Sequence, residues 1–362
     1  MRAKRIQKLQ AAMKDKGFDA LIVTSEINQR YLTGFAYTDG YVLITLNKCY
    51  LLTDFRYIEA AKATVDASLF EIIMPKGGML DEMVCKLAHS EAKIAAVEEA
   101  TLALSSFERF KSKFAGVELV PGGSALIDTL RLYKDEEEFA SMARAQAITD
   151  AAFEHILNVL HPNMTEIEVA LELEFFMRKM GSEGIAFDTI AVSGSMSARP
   201  HGEPRPVKLE KGFLTMDYGA RVDGYCSDMT RTVVLGKADA EIKKVYNTVL
   251  EAQTAAIDAL CVGLSCRRAD KIARDIIDAA GYQGCFGHSL GHGVGLYIHE
   301  SPRLSFAAGE NDVLLPGHVV TAEPGIYIEG KYGCRIEDMI GIKPDGTVYD
   351  FTHSRKDMIE LF

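Results

Sequence analysis

Residues 213–235 have the sequence FLTMDYGARVDGYCSDMTRTVVL, in which two largely apolar runs flank the dipeptide Asp223-Gly224. Asp-Gly in such a pattern is a strong signal for a two-residue β-hairpin turn. If these two residues form the turn, Asp217 lies opposite Thr230, and Asp228 is the diagonal neighbour of Asp217 on the same face. We therefore expect two carboxylates to face each other across one hairpin, roughly 5 to 8 Å apart.

The same arrangement recurs further along the chain. Residues 321–338 have the sequence TAEPGIYIEGKYGCRIED, and a turn at 329–331 sets Glu323 directly opposite Glu337. Like charges across a sheet destabilise it unless a cation compensates them, and the apolar strand residues beside both pairs indicate burial. Because two divalent cations would neutralise four carboxylates, the sequence predicts a dinuclear metal site.

A glycine-rich segment contains three histidines. Residues 286–302 have the sequence FGHSLGHGVGLYIHESP, with histidines at 288, 292 and 299. Glycine permits close backbone approach and disfavours a helix. We interpret one of these histidines as a metal ligand and the others as acid–base or substrate-orienting groups.

The same segment also supports a different interpretation. Residues 287–291 fit the pattern G-x-S-x-G, the nucleophile elbow of serine hydrolases, with Ser289 as nucleophile. That motif needs a strand before the serine and a helix after it, and each following glycine would cost such a helix about 1 kcal/mol relative to alanine. The elbow also leaves the four carboxylates unexplained. A serine hydrolase stays open as an alternative.

Composition narrows the possible partners and location. The chain has 362 residues, enough for two domains, and a net charge of −11, which argues against nucleic-acid or anionic membrane partners. Its seven cysteines are scattered, no signal-peptide core is present, and no apolar run is long enough for a membrane helix. We therefore expect a cytoplasmic protein.

Patterning along the chain predicts two domains. Residues 1–125 alternate between helical and strand-length apolar patterns, which indicates an α/β domain. A Pro-Gly-Gly break and an acidic helix start place the boundary near residue 125, so the second domain spans 126–362. In that domain, helices that open at Thr165 and Ser265 are each followed by a β-rich segment, which indicates a duplicated α+β unit with a pseudo-two-fold axis.

Several motifs together resemble one family. They are MDYG at 216–219 with Asp228, GHGVG at 291–295 with His299-Glu300, EPG at 323–325 and RIED at 335–338. The second half of the chain, which contains these motifs, is similar to the pita-bread metallopeptidases, and within them to the aminopeptidase P and prolidase group. The segments RYLTGF at 30–35 and LLTDFRY at 51–57 resemble the creatinase-type amino-terminal domain of Xaa-Pro peptidases. The resemblance covers nearly the whole chain.

The resemblance implies a role for each matched residue. It implies that two metal ions are bound, with Asp228 and Glu337 bridging them, by the ligands Asp217, Asp228, His292, Glu323 and Glu337. Water activated by the metals would be the nucleophile. The implied catalytic residues are His201, His299 and Glu323, the implied substrate-binding residues are His288 and Phe187, and Arg335 would order the carboxylates.

We expect a dinuclear Xaa-Pro aminopeptidase of the aminopeptidase P type, which cleaves between an N-terminal residue and proline. The alternatives are a prolidase with the same site, a serine hydrolase, or a binding protein without activity. One imidazole among four carboxylates favours manganese, with cobalt, iron or zinc also possible. The expected substrates are short peptides with proline second, and the resemblance implies a homodimer. The sequence leaves the choice between dipeptides and longer peptides open.

Overall fold

The computed structural model describes residues 2–362, which form two compact units. The first unit ends at Arg131, and its helices are α1 (Arg2–Asp15), α2 (Glu26–Thr33), α3 (Ile58–Thr64), α4 (Met79–His89), α5 (Leu104–Lys113) and α6 (Gly123–Arg131). Its strands are β1 (Ala20–Val23), β2 (Gly40–Thr45), β3 (Cys49–Thr53), β4 (Phe70–Ile73), β5 (Ile94–Val97) and β6 (Glu118–Pro121). They form one mixed sheet in the order β4-β3-β2-β1-β5-β6, which confirms an α/β unit.

One strand of this sheet was not expected from the sequence. Strand β5 runs parallel to β1 near the centre of the sheet, and Ala95 and Ala96 are fully buried there. Alanine has a low strand propensity, so a run with two central alanines gives little strand signal. The other five strands coincide with strand-length apolar runs that the sequence shows at 20–23, 41–44, 50–54, 69–73 and 117–120.

The structural division falls after Arg131, a few residues beyond the expected boundary at 125. Helix α6 follows the Pro-Gly-Gly break and packs against α1, β1 and β5, so it belongs to the first unit. The break therefore marks a turn into a further helix of that unit.

The second unit runs from Leu132 to Phe362. Its helices are α7 (Glu136–Val159), α8 (Glu166–Lys179), α9 (Ala240–Ala259) and α10 (Cys266–Ile277). Its strands are β7 (Ile190–Ser193), β8 (Gly212–Tyr218), β9 (Arg221–Val222), β10 (Tyr225–Cys226), β11 (Met229–Leu235), β12 (Gly291–Gly293), β13 (Glu300–Leu304), β14 (Val319–Ala322), β15 (Gly325–Ile328), β16 (Tyr332–Arg335), β17 (Asp338–Ile342), β18 (Val348–Asp350) and β19 (Glu360–Leu361).

These elements form two helix–sheet halves, as the duplication predicts. Helices α7 and α8 share one apolar core with the sheet β19-β11-β8-β7, and α9 and α10 share another with the sheet β13-β12-β14-β17-β18. Thr165 and Glu168 form the expected capping box at the start of α8, whereas the Ser265 side chain makes no capping bond to α10. Two short ribbons, β9 with β10 and β15 with β16, complete the unit.

Both predicted hairpin registers are confirmed. Val222 pairs with Tyr225, and Asp217 pairs with Thr230. The turn residues Asp223 and Gly224 have φ angles of +52° and +86°, values that Asp and Gly tolerate best. In the second half, Ile328 pairs with Tyr332.

Two other observations concern the whole chain. Within residues 2–362, no helix combines the length and the apolar character needed to cross a membrane. All seven cysteines are free thiols.

Candidate metal centre

The first carboxylate pair lies at the inner end of the β8–β11 hairpin. Asp217 is the penultimate residue of β8, and Asp228 comes directly before β11. Asp217 accepts a hydrogen bond at Oδ2 from Arg335 Nη2 (2.6 Å), while its Oδ1 atom is buried and has no hydrogen-bond partner. A buried carboxylate oxygen without a donor is costly, so this atom is suited to a cation.

The second pair lies in a gap between two ladders. Ala322 pairs with Asp338 on one side of the gap, and Gly325 pairs with Arg335 on the other. The predicted register is therefore kept, but Glu323 and Glu337 themselves are not paired as strand residues. Glu337 is almost fully buried and accepts a hydrogen bond from Thr230 Oγ1 (2.6 Å), which ties it to the first hairpin.

His292, in the short strand β12, brings an imidazole to these carboxylates. Its Nε2 atom lies 3.5 Å from Asp228 Oδ2 and 3.3 Å from Glu323 Oε1, and its Nδ1 atom lies 3.1 Å from the Gly293 carbonyl oxygen. That carbonyl can only accept, so Nδ1 carries the proton and the lone pair of Nε2 faces the carboxylates. Ligand atoms of Asp228, His292 and Glu337 all lie within 4.8 Å of one another.

The shifted pKa values of the cluster indicate that its buried carboxylates need a compensating positive charge. Burial and the neighbouring carboxylates raise the pKa of Asp228 and of Glu337 well above their usual values. Burial also raises the pKa of Glu323 to about 8, although Arg335 opposes this shift, and burial lowers the pKa of His292 to about 3. Without a cation, these carboxylates resist ionisation and the imidazole resists protonation. A bound divalent cation would stabilise the ionised carboxylates and the neutral imidazole, which are the forms that bind metal.

Arg335 is buried and organises the two hairpins. Besides its bond to Asp217, it donates from Nε to Thr230 Oγ1 (3.0 Å) and from Nη1 to Tyr327 Oη (2.8 Å). Since Thr230 in turn donates to Glu337, one guanidinium and one hydroxyl connect carboxylates of both halves. Arg335 thus contacts Asp217 directly and reaches Glu337 through Thr230.

The cluster forms one wall of a cavity of about 560 Å³. All the residues singled out from the sequence line it, including His201, His288, His299 and Phe187. The His299 ring meets the His292 ring edge-on, with 4.4 Å between their centres. Burial, Arg303 and His201 lower the pKa of His299, so its imidazole is neutral near pH 7.

His288 is held by contacts at both ring nitrogens. Its Nε2 lies 2.9 Å from Tyr327 Oη, and its Nδ1 lies 2.9 Å from the Ser289 carbonyl oxygen. Burial, with a smaller effect of Arg335, lowers its pKa to about 4. A neutral imidazole is therefore fixed at the cavity wall.

Two ion pairs, each with a buried carboxylate and a partly exposed arginine, hold the loops that carry His201 and His288. Glu166 accepts hydrogen bonds from Ser193 N and from the Arg205 guanidinium, which closes the loop around His201. In the other half, Arg274 pairs with buried Asp270 and donates to the carbonyl oxygen of His288 (2.9 Å). Each half thus uses a carboxylate of its second helix to fix a histidine loop.

Sequence reasoning missed Tyr327 and Arg303. The Tyr327 ring fits only because two neighbours are glycines: a Cβ at Gly325 would lie 2.5 Å from its hydroxyl, and one at Gly333 would lie 2.7 Å from its ring. In the sequence, these two glycines are the only feature that indicates a large side chain packed against the β15–β16 ribbon. Arg303 lies in β13 and lines the cavity, but neither a motif nor the carboxylate pattern marks it.

The nucleophile-elbow interpretation is wrong. Strand β12 (Gly291–Gly293) follows Ser289 where the motif requires a helix, and no strand precedes it between α10 and β12. The Ser289 hydroxyl instead donates to Ser305 Oγ (3.0 Å). The glycines that follow the serine serve β12: a Cβ at Gly291 would lie 2.0 Å from the Thr321 carbonyl oxygen.

Comparison with known families agrees with this geometry. The family model described as metallopeptidase family M24 matches residues 140–344, which include the whole carboxylate and histidine cluster. The chain belongs to metallopeptidase family M24. A second model, the creatinase/prolidase N-terminal domain, matches residues 5–133 of this M24 peptidase. The expected two-part fold and the metallopeptidase class are confirmed.

Similar proteins cover nearly the whole of this M24 peptidase. The Xaa-Pro dipeptidase of Pyrococcus furiosus is 36% identical over 94% of this chain and 96% of its own. The solved structure of an Xaa-Pro dipeptidase from Bacillus anthracis is 41% identical, covers 100% of both chains and superposes with a TM-score of 0.94. The X-Pro aminopeptidase from Thermotoga maritima is 37% identical over 95% of this chain and 98% of its own, with a TM-score of 0.89.

Proposed function

We propose that this M24 peptidase is a metal-dependent Xaa-Pro dipeptidase, which hydrolyses the bond between an N-terminal residue and a C-terminal proline. The observation that carries the proposal is the cluster of Asp228, His292 and Glu337, with ligand atoms within 4.8 Å, at the wall of one cavity. Relatives named Xaa-Pro dipeptidase support this substrate class. The dipeptidase was the alternative to aminopeptidase P in the sequence analysis, and the relatives favour it.

The residues that would hold two divalent ions are Asp217, Asp228, His292, Glu323 and Glu337, all of which line the cavity. The free Oδ1 of Asp217 and the inward Nε2 of His292 support this assignment. When bound, the ions lower the pKa of water and polarise the scissile carbonyl. Manganese is the first choice for this oxygen-rich set, ahead of cobalt, iron and zinc.

The chain's own groups would handle the protons and the developing charge. A Glu323 carboxylate oxygen takes a proton from the attacking water and passes it to the proline nitrogen as the C–N bond breaks. His299, neutral near pH 7, donates a hydrogen bond to the oxygen on which negative charge develops, and His201 lies at the same cavity to assist it.

Substrate binding is assigned to the remaining cavity wall. Phe187 supplies an apolar surface for the proline ring, and His288 orients the peptide. Arg303 lines the same cavity, and its charge lowers the pKa of His299 and His292. A dipeptide carries its C-terminal carboxylate close to the scissile bond, so a cation at this wall would favour dipeptides over longer substrates.

Rates on two peptides test this proposal. With Mn²⁺, we expect kcat/KM for Ala-Pro to exceed that for Ala-Pro-Ala. Arg303→Met should lower kcat/KM for Ala-Pro by about 10- to 100-fold, since a hydrogen bond to a charged group contributes roughly 1.5 to 3 kcal/mol. Arg303→Lys, which keeps the charge, is the matched control and should lose less. Faster hydrolysis of Ala-Pro-Ala would contradict the dipeptidase assignment.

An Xaa-Pro aminopeptidase is the second candidate. The observation that favours it is the similar X-Pro aminopeptidase structure from Thermotoga maritima. A preference for Ala-Pro-Ala in the same assay is the result that would select it.

The homodimer and the cytoplasmic location stay predictions. Light scattering after size-exclusion chromatography checks the first, and cell fractionation checks the second.

A further inference from the structure

A buried ion pair lies directly behind the histidine loop. Lys134 Nζ is 3.0 Å from Glu300 Oε2, and the two side chains are only 1% and 7% exposed. Both residues belong to the second unit, and Glu300 is the direct neighbour of His299. Neither residue is one of the proposed metal ligands, so the metal chemistry assigns the pair no role.

The carboxylate of Glu300 holds the loop 295–300 in place. Its Oε1 accepts a hydrogen bond from Tyr297 N (3.0 Å). Gly295 leaves room for it, since a Cβ at this position would lie 2.6 Å from Glu300 Oε2. The Gly295 carbonyl in turn accepts a hydrogen bond from Cys226 N (2.8 Å), in the hairpin that carries Asp228. The loop is thus fixed at both ends.

The backbone of Lys134 is equally constrained. Lys134 N donates to the Gly317 carbonyl oxygen (2.8 Å), and Gly317 N donates to the Ile342 carbonyl oxygen (2.7 Å) at the end of β17. The preceding residue, Tyr133, packs its ring 5.3 Å from that of His318. The ammonium group therefore extends from a backbone that the second sheet holds.

A buried ion pair is a weak means of stabilising a fold, because desolvation offsets most of the attraction and an apolar pair can fill the same space. An ion pair can instead fix the orientation of the two side chains that form it. Lys134 orients the Glu300 carboxylate, which orients Tyr297 N, and His299 lies between Tyr297 and Glu300 in the chain. The His299 ring then meets the His292 ring at 4.4 Å.

We propose that Lys134 and Glu300 are positioning residues, which hold the His299 imidazole in its reactive place beside the metal centre. The inference rests on the proposed function, in which His299 stabilises the developing charge. Misplacing a group by about 1 Å can reduce a rate by roughly 100-fold. The role of the pair would therefore appear in kcat and depend on the presence of His299.

A double-mutant cycle tests this role. Lys134→Met should lower kcat for Ala-Pro by about 10- to 100-fold, with KM changed by less than about threefold and bound metal unchanged. In the His299→Ala background, the same substitution should change kcat by less than about twofold, since the residue that it positions is gone. A merely structural role would not produce this non-additivity. Lys331→Met, which removes a lysine from the exposed pair with Glu241, is the matched control.

A second variant keeps the proposal testable if Lys134→Met does not fold. Lys134→Met/Glu300→Leu replaces the pair by apolar groups; it should fold and show the same loss of kcat, again absent in the His299→Ala background. Wild-type kcat in a folded variant, or equal losses with and without His299, overturns the positioning role. A wild-type protein that hydrolyses no Xaa-Pro peptide overturns the proposed function instead.

Discussion

Glu98 of the first unit and the four clustered carboxylates of the second unit are all buried or nearly so, but their surroundings differ. In the first unit, Glu98 is fully buried and accepts hydrogen bonds from Ser25 N (2.8 Å), from Asn28 Nδ2 (2.6 Å), and from the backbone and hydroxyl of Thr24. In the second unit, Asp217, Asp228, Glu323 and Glu337 are also buried or nearly so, yet each faces other carboxylates and has few donors.

The difference separates a structural carboxylate from a functional one. Donors at the start of α2 satisfy Glu98, which therefore ties that helix to the segment after β5 without any ligand. Burial raises the pKa of Glu98 too, but its donors oppose the shift. In the second unit, burial raises the pKa of Asp228, Glu323 and Glu337, and neighbouring carboxylates add to the shift. A buried carboxylate is therefore not by itself a sign of a metal site. A cluster of buried carboxylates with few hydrogen-bond donors is such a sign, because a cation can supply the missing compensation.

The largest expected effect comes from breaking the donor-poor cluster. Asp228→Asn should lower kcat/KM for Ala-Pro by at least about 1,000-fold, since it removes the negative charge of a proposed metal ligand. The matched control is Asp223→Asn, at the exposed turn of the same hairpin, where asparagine tolerates the positive φ. Full activity of a folded Asp228→Asn protein would refute the assignment of this ligand.

The pH dependence of stability should also distinguish the metal-free cluster. The pKa of Glu323 is raised from 4.5 to about 8, so stability present below its unfolded value is lost as pH rises towards 8. Unfolded histidines lose their remaining protons over the same range, so His288, His292 and His318, whose pKa values are lowered by burial, each offset about 0.4 kcal/mol of this loss. Between about pH 6.5 and 8, Glu323 alone should cost metal-free protein roughly 2 kcal/mol, at about 1.4 kcal/mol per pH unit for one proton, and the net loss should be roughly 1 kcal/mol.

Thermal unfolding of metal-free and Mn²⁺-loaded protein at both pH values measures this effect. The loaded protein should show a larger gain in Tm at the higher pH, because metal replaces the protons there. An equal gain in Tm at both pH values would count against carboxylates as the ligands.

The smallest effect on activity is expected in the first unit. Glu98→Gln presents an amide to donors that now meet a carboxylate, so it should reduce stability by about 1 to 3 kcal/mol. It should leave the kcat and metal content of the enzyme unchanged. Glu108→Gln on the exposed surface of α5 is the control for stability. Loss of bound metal in Glu98→Gln would contradict a purely structural role for this carboxylate.

Local sequence signals predicted the core of the site. Asp223-Gly224 sets the register that pairs Asp217 with Thr230, and the second turn sets the register on either side of Glu323 and Glu337. Because side chains alternate along strands, a known register decides which residues share a face. The carboxylate cluster could therefore be predicted without a structure.

The remainder depends on contacts that leave no local signal. Lys134 and Glu300 are 166 positions apart, and neither belongs to a pattern that predicts the other. Strand β5 was missed because its alanines are buried by neighbouring strands rather than favoured by strand propensity. Long-range pairs of this kind become visible only when the fold brings their segments together.

The most direct test of the central claim is the metal dependence of proline release. The protein is dialysed against EDTA and then against metal-free buffer, and proline release from Ala-Pro is measured before and after addition of Mn²⁺. The donor-poor carboxylate cluster predicts that release falls at least about 1,000-fold after chelation and recovers when Mn²⁺ is restored. Unchanged release by the chelated protein would contradict the account.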